Sequence, residues 1–158
     1  MDFLINWIAS TPAFAVPFAL AALGLIITEK SGVLSLGAEG FMLVGALAGI
    51  GAVLTLGGLP LVALMVAAAA AAVVSLLFAV LVIYLRINQV IAGLAMVFFC
   101  QGLTSLIGAQ QGWTSRAIEG LSAAPIPYLS DIPVIGRILF NQDIVVYLVV
   151  PIFIAAVW

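Results

Sequence analysis

Long apolar runs alternate with short polar notches along this chain. Uncharged stretches cover residues 3–28, 40–85, 87–115 and 144–158. A bilayer core of about 30 Å takes about 20 helical residues, so 40–85 is too long for one crossing. Gly57, Gly58 and Pro60 divide it in two. The pattern predicts five segments, at about 12–28, 34–56, 59–85, 88–109 and 144–158, with an external loop at 110–143. Backbone groups in lipid must pair within the chain, and the alternation of barrel strands is absent. The expected fold class is therefore all-α, a polytopic transmembrane helical bundle. Its last segment, residues 144–158, gives about 22 Å of helix and falls short of the hydrocarbon core. It reads as a truncated span, the alternative being a short helix at the interface.

Composition narrows the function classes. Of 158 residues, 66% are apolar and 6% charged, against about 45–50% and about 25% in a soluble domain. Four Lys and Arg cannot form a basic patch, which argues against a nucleic-acid partner and leaves the lipid bilayer as the expected surroundings. There is no His, so imidazole catalysis is excluded, and the single Cys100 cannot form an intrachain disulfide. Lys30 follows the first span and Arg86 the third, which places both on one side. The positive-inside tendency makes that side cytoplasmic, although Arg116 and Arg137 fall in the opposite, longer loop. The N-terminus carries Asp2 where a signal peptide would carry basic residues, so the first span is expected to be retained.

The polar notches hold the candidate chemistry. The stretch Thr28–Gly40 is a glycine-rich break between two apolar spans, with Gly32, Gly37 and Gly40 as positions that permit backbone turns. Glu39 falls about five residues into the second span, about 7 Å deep by helical rise. Two readings stand side by side. An acid in the first turn of a helix is favoured by the helix dipole and could pair with Lys30. Alternatively, an interrupted helix lines a polar pathway. Ser35 and Glu39 are four apart, one too many for a capping box.

Arg86-Ile87-Asn88-Gln89 joins spans three and four. It reads as a solvated turn with Arg86 snorkelling, or as amides placed to bond a passing polar solute. Gln101 is near the middle of span four, where a buried amide needs a partner. Bonding to a neighbouring helix is the first expectation, lining a path the second. Gly45 and Gly49 form a GxxxG face, which indicates close helix packing, as do the six alanines at 67–72. Trp113 and Tyr128 suit an interfacial belt. Ile132 to Leu139 could form a surface helix in a docking loop. No phosphate-binding GxxxxGK[ST] is present, and no intramembrane aspartyl pair. Nothing resembles a catalytic or metal site.

The stretch from Glu29 to Ala46, EKSGVLSLGAEGFMLVGA, resembles the permease subunits of bacterial ABC importers for nucleosides and simple sugars. These belong to a larger group that includes ribose and branched-chain amino acid permeases. Members typically read E-R-S-G-V-x-N-x-G-x-E-G-x-M-L-x-G-A; here Lys30 replaces Arg and Ser35 replaces Asn. Asn88-Gln89-Val90-Ile91-Ala92-Gly93 is similar to the family's N-x-V-I-x-G segment, and Leu103-Thr104 to its L-T pattern. The resemblance implies that residues 1–158 are the N-terminal part of one permease transmembrane domain in the bacterial inner membrane. It implies a second permease subunit, cytoplasmic ATPase subunits that carry the ATP, and an extracytoplasmic solute-binding protein. No cofactor is expected on the chain itself. Glu39, Ser35, Asn88, Gln89 and Gln101 are then the candidates for lining the solute path. The alternatives are a small ATP-independent channel or secondary carrier, or an inactive split fragment.

Overall fold

A computed structural model of the chain describes residues 2–56, 59–113 and 142–157. Among these there are five helices: α1 (Asp2–Lys30), α2 (Ala38–Thr55), α3 (Pro60–Ala79), α4 (Gln89–Gln110) and α5 (Ile144–Val157). A π-helical turn, Val80–Tyr84, extends α3. Four segments are long and apolar enough to cross a membrane: Trp7–Lys30, Ala38–Thr55, Pro60–Tyr84 and Gln89–Gln110. Ile144–Ala156 is a shorter apolar helix. The all-α architecture follows, and with it a multi-pass membrane protein. Most of the 110–143 loop, including Tyr128 and the suggested surface helix at Ile132–Leu139, lies outside the described residues.

Helix ends differ from the hydropathy boundaries in informative ways. α1 begins well before residue 12 and runs through Pro12 and Pro17. Each proline removes only one backbone donor, and apolar flanks on both sides keep the helix continuous. α2 starts at Ala38, so Leu34–Gly37, expected in the second span, belong to the break instead. Pro60 opens α3 at its first turn, where a missing N–H costs nothing.

The chain forms two compact units. One comprises residues 1–27 and 120–158. Within it the buried Gln142 donates from Nε2 to the Ala9 carbonyl at 2.7 Å, and its own N–H donates to the Tyr147 hydroxyl at 3.1 Å. This ties the start of α5 to α1. The other unit comprises residues 28–119, with α2 packed against both α3 and α4.

In the second unit, small residues set the helix spacing. A Cβ placed on Gly45 would lie 3.3 Å from the Ala67 carbonyl oxygen and 3.5 Å from the Ala71 Cβ. One on Gly49 would lie 3.3 Å from the Ala67 Cβ and 3.6 Å from the Ala63 oxygen. The GxxxG face and the alanine run are thus two sides of one antiparallel contact. On the other flank, Phe78, Val82, Ala92, Met96 and Cys100 form the core, with Val33, Phe41, Val44, Val74 and Leu81 packed against it. The Phe41 and Phe78 rings meet at 5.8 Å with a 59° tilt, inside the range for favourable aromatic pairs.

Candidate functional site

The break begins with a helix end built for glycine. The Gly32 N–H donates to the Glu29 carbonyl at 2.9 Å, and the Val33 N–H donates to the Thr28 carbonyl at 3.1 Å. Gly32 has φ +82°. This is a Schellman closure, in which the left-handed residue turns the chain and satisfies the last carbonyls of α1. α4 ends the same way, with Gly112 at φ +63° and Trp113 N–H on the Gly108 carbonyl at 3.0 Å. The Trp113 ring then lies against α2, so close that a Cβ on Gly51 would stand 2.8 Å from it.

From Gly32 to Gly40 the chain lies along α4. Gln89 meets it first: Oε1 accepts from the Leu34 N–H at 2.6 Å, and Nε2 donates to the Gly32 carbonyl at 3.4 Å. One turn on, a Cβ on Gly93 would be 2.9 Å from the Leu36 Cβ and 3.2 Å from its Cα and carbonyl carbon. Two turns on, a Cβ on Gly40 would be 3.1 Å from the Cys100 Cβ and 3.2 Å from the Met96 oxygen and Val97 Cα. The break therefore re-enters along α4. Glu39, beside Gly40, stands level with residues 97–100 of α4, about 12–16 Å along the axis from Gln89. The residues before it, 33–37, lie outside any helix.

The turn from α3 to α4 sits at the same end of the unit. The Leu85 N–H reaches back five residues to the Val80 carbonyl at 3.0 Å, the mark of the π turn. The Ile87 N–H reaches the Leu81 carbonyl at 3.1 Å, and between them Arg86 has φ +54°. The closure resembles a Schellman motif widened by one residue, with arginine in the place glycine favours. Asn88 then caps α4, its Oδ1 accepting from the Val90 N–H at 2.9 Å and the Ile91 N–H at 3.3 Å. Leu34, Val82, Arg86, Ile87, Asn88, Gln89 and Val90 surround an open groove of about 450 Å³.

The structure sorts the sequence candidates by what each side chain touches. Asn88 and Gln89 spend their amides on backbone groups of the turn and the break. Ser35 is buried in the break. Glu39 is exposed in the first turn of α2, where the dipole favours an acid. Among the described residues it pairs with no cation, Lys30 included. α2 has Gly37 at its N-cap and no side-chain cap bond, in keeping with the spacing of Ser35 and Glu39. Gln101 is exposed, and among the described residues its amide has no hydrogen-bond partner. The expected bond from Gln101 to a neighbouring helix within this chain is not formed. Glu39 and Gln101 thus share a depth, within about a turn, while Asn88 and Gln89 lie at the mouth. Of the three motif glycines, only Gly32 adopts positive φ. Gly40 is required for close approach, and Gly37 lies under the Phe41 ring, with 2.8 Å between that ring and an added Cβ.

Sequence reasoning met Gly93 only as part of the Asn88–Gly93 segment and assigned it no contact, because its partner Leu36 is far away in the chain. A turn-by-turn reading of α4 from Gln89 at steps of four and three would have found it on the face shared with Met96 and Cys100.

Several curated proteins are similar to the chain. An ABC transporter permease named for glucose in Haloferax volcanii is 35% identical over 152 residues, covering 94% of this chain and 45% of that protein. The guanosine ABC transporter permease of Bacillus subtilis is 34% identical over 145 residues, covering 85% of this chain and 45% of that protein. The nucleoside ABC transporter permease of Lactococcus lactis is 28% identical over 143 residues, with the same two shares. The chain spans about half the length of these relatives, and no solved structure matches it. The family described as the branched-chain amino acid transport system permease component matches residues 8–158. A helical membrane unit with a re-entrant break, matched over nearly its whole length in this way, belongs to that permease family.

Proposed function

We propose that the chain is part of the membrane subunit of an ATP-driven importer for nucleosides or simple sugars. The observation that carries this reading is Glu39: exposed, unpaired among the described residues, and next to Gly40, which packs on Met96, Val97 and Cys100 of α4. An acid at mid-membrane costs about 2.5–3.5 kcal/mol on insertion scales and is kept where it faces a cavity or a partner. A polyhydroxylated solute offers hydroxyl donors to a carboxylate and both donors and acceptors to an amide. Glu39 and Gln101, at one depth, supply that pair. Asn88, Gln89 and Ser35 shape the mouth. The solute class is supported by relatives named for guanosine, nucleosides and glucose.

In this reading the chain works with a second permease subunit, cytoplasmic ATPase subunits that bind ATP, and an extracytoplasmic binding protein, in a bacterial inner membrane. It makes and breaks no covalent bond itself. Uptake in proteoliposomes with the complete set of partners tests the reading. Glu39→Ala is expected to reduce nucleoside or sugar import at least ten-fold with the subunit still inserted at its normal level. Unchanged import removes Glu39 from the path. Flux through the chain alone, without ATP, would replace the importer with an ATP-independent channel.

A further inference from the structure

The re-entrant strip meets α4 at three successive levels, all on one face. Gln89, Gly93 and Met96–Cys100 are spaced four and then three to seven residues apart, which stacks them along the helix. At the first level both ends of one amide are used, on Leu34 N–H and Gly32 C=O. At the other two levels an added Cβ would stand 2.9 Å (Gly93) and 3.1 Å (Gly40) from its nearest neighbour, tighter than ordinary contact. Contacts this close cannot slide, because packed interfaces have discrete arrangements rather than a continuous range.

The joint from α3 into α4 is built differently. Val80–Tyr84 is wound as a π turn, and Arg86 takes a left-handed backbone, which strains a non-glycine residue. A π turn holds one residue more than the α-helix it interrupts, and kinks concentrate at such places.

From the first of these observations we infer that the break, the first turn of α2 and the N-terminal half of α4 are held as one rigid block. Gln89 is the positioning residue that holds the break, and through it Glu39, at its depth. The consequence for transport rests on the importer reading above; the clamp itself does not.

Two measurements test the inference. The first uses the chain in nanodiscs and reads amide exchange at Leu34 by NMR. Gln89→Met keeps the side-chain length and removes both hydrogen bonds, and Leu34 exchange is expected to rise at least ten-fold. Gln89→Glu keeps the acceptor and is expected to restore slow exchange. No rise in Gln89→Met overturns the clamp, whether or not any solute is carried.

The second uses the assembled importer. Gly40→Cys sets a thiol beside the native Cys100, with the two Cβ atoms 3.1 Å apart before relaxation, a few tenths of an ångström inside the usual disulfide range. After oxidation with copper phenanthroline, uptake is expected to stay within two-fold of the same protein reduced with dithiothreitol. A ten-fold loss on oxidation that reductant restores would overturn the single block. Should Gly40→Cys fail to reach the membrane, the unmodified importer decides. Leu34 exchange is expected to agree within two-fold between nucleotide-free and vanadate-trapped states, and a ten-fold nucleotide-dependent rise overturns the block. An importer that carries neither nucleosides nor sugars would sink the transport reading and leave the Leu34 result standing.

Discussion

Asn88 and Gln89 are adjacent amides with different work to do. Asn88 is short and reaches its own helix, bonding the Val90 and Ile91 N–H groups. Gln89 is one methylene longer and reaches a segment 55 residues earlier. The Asn88→Ala variant is expected to lose about 1 kcal/mol of stability, the ordinary value of an N-cap, and Asn88→Ser to lose much less. Thermal unfolding in detergent measures both. Gly93→Ala is expected to cost about 1–3 kcal/mol in the same assay, because the new methyl meets Leu36 backbone, which cannot rotate away as a side-chain end would. The sequence showed that residues 88 and 89 were polar and sat at a helix start. It could not show that Gln89 answers the break, since a hydrogen bond across 55 residues leaves no periodic trace. Glu39 is the converse case. Its presence in a break was plain, and what the sequence could not show is that the break lies against Gly93, Met96 and Cys100 of α4.

Helices α2 and α3 are joined by size rather than by chemistry. Gly45 and Gly49 face Ala63, Ala67 and Ala71, so the backbones approach to contact distance and gain dispersion energy that bulkier residues would forbid. Gly45→Val is expected to destabilise the unit by about 1–3 kcal/mol through overpacking. Gly102→Ala provides the contrast: nothing lies within 4 Å of the added carbon, and the better helix propensity should leave stability equal or raise it by up to about 1 kcal/mol. Denaturant titration of the two variants side by side checks the pair. The four long spans were legible because about 20 apolar residues between polar notches leave few other options in lipid. The π turn was not legible. Val80–Tyr84 reads as apolar helix like the residues before it, and nothing in its hydropathy marks the extra residue per turn.

For the chain as a membrane protein, sidedness follows from one contact. Gln89 can bond Leu34 and Gly32 only if the α1–α2 break and the α3–α4 turn open at the same end of their unit. Trp113 packs on Gly51, near the last turn of α2, which assigns the α4 C-terminus to the other end. Lys30 and Arg86 both belong to the first end, the one that the positive-inside tendency would set in the cytoplasm. Single cysteines at Ser31, Ile87 and Gln111, each in a Cys100→Ala background, test this with a membrane-impermeant maleimide. All three positions are exposed, so failure to label reports the side of the membrane rather than burial. Ser31 and Ile87 are expected to label in inside-out vesicles and not in right-side-out ones, and Gln111 the reverse. Replacing the exposed residues instead of Lys30 and Arg86 leaves the charges that set orientation untouched. Labelling of all three with the sides exchanged would reverse the orientation and keep the fold. Labelling of Ser31 and Ile87 from opposite sides would break the Gln89 contact, and with it the placement of Glu39 along α4.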